Sequence, residues 1–254
     1  MENKKYFRFA IIFNFILVQS SLFVDAANFH SKPNATVGKD AYLSSFGDTT
    51  NYGTHVEFSS DAWTCNSNPC FARNVIEFDF SSIPAGSTIN SATLSLFANP
   101  FPLNGNGTAM QGANASLIQR VTSAWDESTV TWVTAPTTTN QNEVTLAQST
   151  SAFQNYPAID VKDLVQDMVN DHVNSHGFML RLINETAYAT MIFASSDFPD
   201  STKWPEITID YTPPQDTCIT FHAEEGSGKD AYLSSFEPDS NFANHEEFSG
   251  DAWT

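Results

Sequence analysis

Short runs of alternating apolar and polar residues dominate the chain. In residues 73–80, Ile76, Phe78 and Phe80 fall on one face, with Val75, Glu77 and Asp79 on the other. Ala92, Leu94, Leu96 and Ala98 share a face, as do Phe178, Leu180 and Leu182, and Ile207, Ile209 and Tyr211. This period of two predicts half-buried antiparallel strands. Turn signals separate them: Pro84-Ala85-Gly86, Asn104-Gly105-Asn106-Gly107, Pro136 and Pro199-Asp200. One stretch has helical spacing instead, with Val161, Leu164, Val165 and Met168 following Asp160 as N-cap and Asp163 in the first turn. Many short strands and one short helix predict an all-β fold, an antiparallel β-sandwich of the jelly-roll kind. The absence of alternating helices excludes a parallel α/β fold.

The pattern also divides the chain. Lys4, Lys5 and Arg8 precede an apolar run from Phe9 to Val18, and Val24-Asp25-Ala26 offers a small-residue cleavage pattern. Residues 1–26 therefore read as a secretory signal peptide, the run being short for a membrane span. Further on, residues 38–64 recur at 228–254 with 18 of 27 positions identical and no gap, at an offset of 190. Repetition on that scale predicts a tandem array. The organisation expected is a signal at 1–26, a complete unit at 28–212, a linker at 213–227 and a truncated start of a second copy at 228–254.

Composition narrows the function classes. The 254 residues carry 29 acidic and 11 basic side chains, a net charge of −18. Removing the signal takes away three basic and two acidic residues, leaving −19. Such a chain lacks the basic surface on which nucleic-acid binding rests. With 41% apolar and 13% aromatic residues, it has enough material to fold.

Export changes how cysteine is read. Cys65 and Cys70 bracket the loop 66–69, and an oxidising compartment favours a disulfide between them. A zinc site would need a second Cys/His pair, which does not follow. Cys218 falls in the linker, its partner expected beyond Thr254. Sequons at Asn34, Asn106, Asn114 and Asn184 would be surface glycan sites in a eukaryotic secretory pathway.

Nucleophilic catalysis finds no Gly-X-Ser-X-Gly elbow. His172 and His176 have i,i+4 spacing but read as a helix stop, with no HExxH motif. Asp126-Glu127 lies between Trp125 and Trp132, as in glycosidase clefts, yet large aromatics at such spacing are usually core anchors. Binding is the better reading. The repeated segment concentrates aromatic faces and hydrogen-bonding groups of the kind sugar sites use: Tyr42, Tyr52, His55, Glu57, Asp61 and Trp63. All but Tyr52 recur unchanged in the second copy, a recurrence that fold requirements alone also explain. We take Tyr42, Tyr52, His55 and Trp63 as candidate ligand-binding residues. Asp40, Asp48, Asn51 and Asp61 are candidate oxygen ligands for a structural calcium, although their spacing matches no EF-hand loop.

A family resemblance rests on a longer series of motifs. Asp40-Ala-Tyr42, Thr50-Asn-Tyr-Gly53, Val75-Ile-Glu-Phe-Asp-Phe80, Ile83-Pro-Ala-Gly86 and Ala92-Thr-Leu-Ser-Leu96 resemble the DNRLRE-type domain, or disaggregatase-related repeat. The series continues through Trp125-Asp-Glu-Ser-Thr-Val-Thr-Trp132, Ile159-Asp-Val-Lys-Asp-Leu-Val165 and Gly177-Phe-Met-Leu180. It ends with Ala194-Ser-Ser196 and Trp204-Pro-Glu-Ile-Thr-Ile-Asp-Tyr211, so it covers about residues 38–212. The resemblance implies a non-catalytic carbohydrate-binding module of secreted or cell-surface proteins, often repeated or joined to polysaccharide-degrading enzymes. It also implies acidic polysaccharides such as alginate, which a chain at −19 would repel unless calcium bridged the two. The expected function is therefore sugar binding as a class, with a polysaccharide or glycan and neighbouring repeats as partners. The alternatives are a structural or adhesive extracellular repeat and an accessory domain of a polysaccharide-degrading enzyme.

Overall fold

The computed structural model describes residues 25–34 and 38–215. Most of the expected signal, nearly all of the linker, Cys218 and the second copy lie outside them. In chain order the strands are β1 (Ala27–Ser31), β2 (Gly38–Ser44), β3 (Glu57–Cys65), β4 (Asn68–Phe78), β5 (Thr88–Leu96) and β6 (Met110–Gln111). They continue as β7 (Ser116–Val121), β8 (Thr138–Leu146), β9 (Tyr156–Asp160), β10 (Phe178–Leu182), β11 (Ala189–Ala194) and β12 (Glu206–Thr212). One helix, α1 (Lys162–Asn170), follows β9.

The strands build an all-β antiparallel sandwich. One layer has four strands in the order β1-β12-β5-β9. The other is a curled sheet of eight, ordered β6-β11-β3-β4-β10-β7-β8, with β2 also on β4. Every stretch with predicted alternation lies at least partly in a strand. Ile76, Phe78, Leu94, Phe178, Leu180, Ile207 and Ile209 meet in the main core, which Leu164, Val165, Met168 and Val169 of α1 extend. The helix opens one residue later than the sequence suggests. Val161 is the N-cap and makes no side-chain capping bond, whereas Asp160 ends β9 and its Oδ1 accepts from the Lys162 N–H at 3.0 Å.

At 11 residues, β4 serves two neighbourhoods. Its first half pairs with β3, Trp63 opposite Cys70. Its second half runs between β2 and β10, with both Ala41 and Met179 opposite Val75. Alternation assigned Val75 to a polar face, yet it is fully buried. The reason is the segment 125–135: Trp125, Val130 and Trp132 fold over that face and form a second core with Ala41, Leu43, Val75 and Met179. Both tryptophans thus serve packing, and the Trp125 indole N–H donates to the His176 carbonyl at 2.9 Å. Among the described residues no helix is long and apolar enough to cross a membrane.

Candidate functional site

The period of β3 places Glu57, Ser59, Asp61 and Trp63 on one face and core-forming Phe58 on the other. Beside this face run Tyr42 and Ser44 of β2. Here the sheet surface opens into a cavity of about 370 Å³ whose lining includes Tyr42, Phe46, Asp61, Trp63, Leu103 and Asn104. The Cys65–Cys70 disulfide forms part of its wall. Phe46 is 60% exposed and Leu103 71%, so the rim presents apolar surface to solvent. Tyr188, also largely exposed, packs edge-on against Trp63 with ring centres 4.7 Å apart.

A buried carboxylate holds the far wall in place. Glu57 Oε1 accepts the Leu103 N–H at 2.6 Å and, more weakly, the Asn104 N–H at 3.4 Å. Its Oε2 accepts from Asn104 Nδ2 at 2.6 Å. A charge with 0% exposure is tolerable because these donors replace its water. Asn74 braces the other side, its Oδ1 accepting the Ser59 N–H at 2.8 Å and its Nδ2 donating to the Glu57 carbonyl at 3.3 Å.

Asp61 stands at the cavity floor. Its Oδ2 accepts from Ser59 Oγ at 3.3 Å and from the Tyr42 hydroxyl at 3.4 Å. Burial, with the Glu57 charge adding to it, pushes the Asp61 carboxyl up to about 6. Burial likewise pushes the Tyr42 phenol up, reinforced by the same two acids. Among the described residues of the lining, Asp61 is the one carboxylate.

The four candidate ligand-binding residues separate. Tyr42 and Trp63 line the cavity. Tyr52 and His55 do not: His55 stacks on Tyr42 at 4.5 Å and Tyr52 meets both rings edge-on, so these aromatics support Tyr42 from behind. Phe46, Leu103 and Asn104 also line the cavity and Tyr188 packs on Trp63, although the sequence marks none of them as a candidate. For Phe46 a signal existed, since it recurs as Phe236 in the second copy. For the other three no sequence pattern pointed to the cavity.

The candidate calcium ligands also separate. Asp40 gathers with Glu127 and Asp197, and one carboxylate oxygen from each lies within 4.8 Å of the others. Asp40 is held by the Ser196 N–H at 2.8 Å and Ser196 Oγ at 3.1 Å, while its own N–H donates to Glu127 Oε1 at 2.9 Å. Burial, outweighing the Ser196 hydrogen bonds and aided by the neighbouring acids, pushes Asp40 up to about 7. Burial also raises Glu127 and Asp197. These oxygens are of the hard type that calcium takes. Asp48 and Asn51 have other tasks: the Asp48 carbonyl accepts the Val133 N–H, and the Asn51 amide donates to the carbonyls of Glu127 and Val130, both at 2.8 Å.

Of the expected glycan acceptors, Asn106 and Asn184 are exposed and Asn34 is half-buried. Asn114 is not at the surface. It is fully buried, and its Nδ2 donates to the Thr190 carbonyl and Ser149 Oγ while its Oδ1 accepts the Ser149 N–H.

Residues 31–210 match the family model of carbohydrate-binding module family 96. A search of curated proteins finds no match.

Proposed function

The chain belongs to carbohydrate-binding module family 96, and on that premise we propose that it is a secreted, non-catalytic module that binds polysaccharide in the cavity floored by Asp61. The observation that carries the reading is the cavity itself, in which Trp63 and the exposed Phe46 flank hydrogen-bonding groups of Asp61, Asn104 and Tyr42. Sugars present apolar C–H faces and a rim of hydroxyls, and this lining answers both. The test is a glycan array probed with the full chain and with Trp63→Ala. Retention of a glycan by the native chain, reduced about tenfold in the variant at unchanged melting temperature, supports the reading. Retention of none overturns it.

A second reading, a structural extracellular repeat, draws on the recurrence of residues 38–64 at 228–254. That recurrence keeps packing residues such as Ala41, Leu43 and Phe58 as well as the cavity residues. A chain that binds no glycan and instead associates with its own copies in sedimentation would favour it.

A further inference from the structure

Strand β4 reaches two openings of the sandwich. Its start carries Cys70 and Phe71 of the cavity described above, and its end carries Glu77 and Phe78 of a second cavity of about 450 Å³. The extended strand from Phe71 to Phe78 sets the two about 23 Å apart, at about 3.3 Å per residue. The second cavity continues sideways. Asp79 and Ser81 also line a neighbouring cavity of about 500 Å³ beside β1, so the two join into one groove from His172 and Ser175 to His30 and Lys32.

The groove offers sugar-binding chemistry along its length. Pro84 and Ala85 are exposed and present apolar surface, while the Ser81 hydroxyl and the imidazoles of His30 and His172 donate as well as accept. Asp79, also exposed, supplies a fixed acceptor. Its Oδ1 takes the Ser81 N–H at 2.9 Å. Hydrogen bonds from Ser81, with the His172 charge adding to them, hold its carboxyl below the ordinary value, so it is ionised at neutral pH. Recurrence points to the same place. Phe29-His30 precedes the segment 38–64, and Phe221-His222 precedes its second copy. Packing accounts for the phenylalanine, since Phe29 meets Phe80 edge-on with ring centres 5.6 Å apart. It does not account for the histidine, whose side chain is 57% exposed, 3.7 Å from Glu206, and lines the groove. A repeated surface histidine beside hydroxyls and apolar carbons is placed to meet a ligand.

Resting on the glycan-binding reading above, we propose that this groove is a second polysaccharide-binding site, and that the module holds two sugar chains at once, one at each end of β4. Hydroxyls of the second chain bond to Asp79, Ser81, His30 and His172, and its C–H faces lie on Pro84 and Ala85. A separation of about 23 Å exceeds the reach of a single sugar ring, so the two sites fill independently and the module links chains together.

The experiment loads the full chain on beads bearing alginate, xylan or mannan, washes them, and offers a fluorescent hexasaccharide of the same sugar. The expected result is that on at least one bead type the native chain is retained and captures the hexasaccharide. Trp63→Ala and the pair His30→Ala/His172→Ala, each checked for an unchanged melting temperature, should stay on the beads more weakly and capture about tenfold less. Ala85→Trp, which fills the groove from an exposed position, should behave like the histidine pair and replaces it if that pair alters folding. A native chain that is retained but captures nothing overturns the second site and leaves glycan binding standing, as do groove variants that capture as well as the native chain. Retention on none of the beads overturns the glycan-binding reading itself, and the inference with it.

Discussion

A side chain at position 47 would press its β-carbon against the Tyr52 hydroxyl oxygen. Nothing else about position 47 demands glycine, since it is not in the left-handed backbone region. In the second copy both partners differ together: the positions aligned with Gly47 and Tyr52 are Glu237 and Phe242. Tyr52 cannot readily swing aside, because its ring abuts Tyr42 and His55. Gly47→Ala should therefore cost about 1–2 kcal/mol through overpacking, and Tyr52→Phe about 0.5 kcal/mol or less. The double variant should return to within about 0.5 kcal/mol of the native chain. Urea unfolding of the four proteins measures the cycle, and strictly additive costs would refute the contact.

Glu57 is the anchor of the segment bearing Leu103 and Asn104, 46 residues further along the chain. In Glu57→Gln, the amide oxygen keeps the Leu103 N–H only if the NH₂ takes the Oε2 position, where the Asn104 amide must turn over to accept from it. The charge-assisted bonds are weakened in either case, for a loss of about 1–3 kcal/mol. Because the anchored segment forms a cavity wall, the variant should also lose glycan affinity. Limited proteolysis should show new cleavage between residues 99 and 107. Native-like stability with an intact segment would show that the bonds to Glu57 are dispensable.

The strands were legible in the sequence because a half-buried strand writes its burial as alternation, and β5, β10 and β12 carry that signal plainly. Val75 broke the pattern because the loop with Trp125 and Trp132 covers its face, and such cover comes from 50 residues away. The cavity was half legible. Tyr42 and Trp63 stand out as aromatics in a repeated segment, but residue type does not say which ring faces stack on each other, so Tyr52 and His55 stand out equally. The acids show the same limit. Asp40, Asp48, Asn51 and Asp61 are neighbours in sequence, whereas the group that forms draws Asp40, Glu127 and Asp197 from distant segments.

Two buried acids lead the pH dependence, and the raised Glu127 and Asp197 act in the same sense. Asp61 is raised to about 6 and Asp40 to about 7, both from 3.8, and burial is the main cause in each. Glu57 and Tyr42 face the first, and Asp197, Glu127 and Ser196 the second. A carboxyl with a raised folded value binds its proton more tightly in the folded chain than in the unfolded one. Stability is then greatest below about pH 4 for these two groups and declines as pH rises through about 6 and 7. The exposed Asp126 and Asp200, lowered by hydrogen bonds to Ser128 and Thr202, act in the opposite sense but are well screened. Urea unfolding from pH 4 to pH 9 should show stability falling to a plateau above about pH 8. Asp40→Asn should remove the part of the fall nearest pH 7, and a stability that rises across this window would contradict the assignment.

The hairpin between β3 and β4 turns on two residues, Asn66 and Ser67, both with positive φ, at 49° and 67°. That is the geometry of a tight turn whose twist suits paired strands, and its second position favours glycine. Asparagine tolerates the left-handed region, but serine has no such preference, so Ser67 carries a local cost. The Cys65–Cys70 disulfide closes this same hairpin at a Cα–Cα distance of 5.7 Å and constrains the unfolded chain across a short loop. For a loop of this length the constraint contributes about 2 kcal/mol. Ser67→Gly should stabilise the oxidised protein by about 0.5–1 kcal/mol. Replacing both cysteines by alanine should lower stability by about 2 kcal/mol, and adding Ser67→Gly should recover part of that loss. The cysteines also wall the cavity, so the cysteine-free chain should bind glycan more weakly while keeping its far-ultraviolet circular dichroism. If Ser67→Gly destabilises both backgrounds, the serine hydroxyl or its hydration supports the turn, and the backbone argument fails.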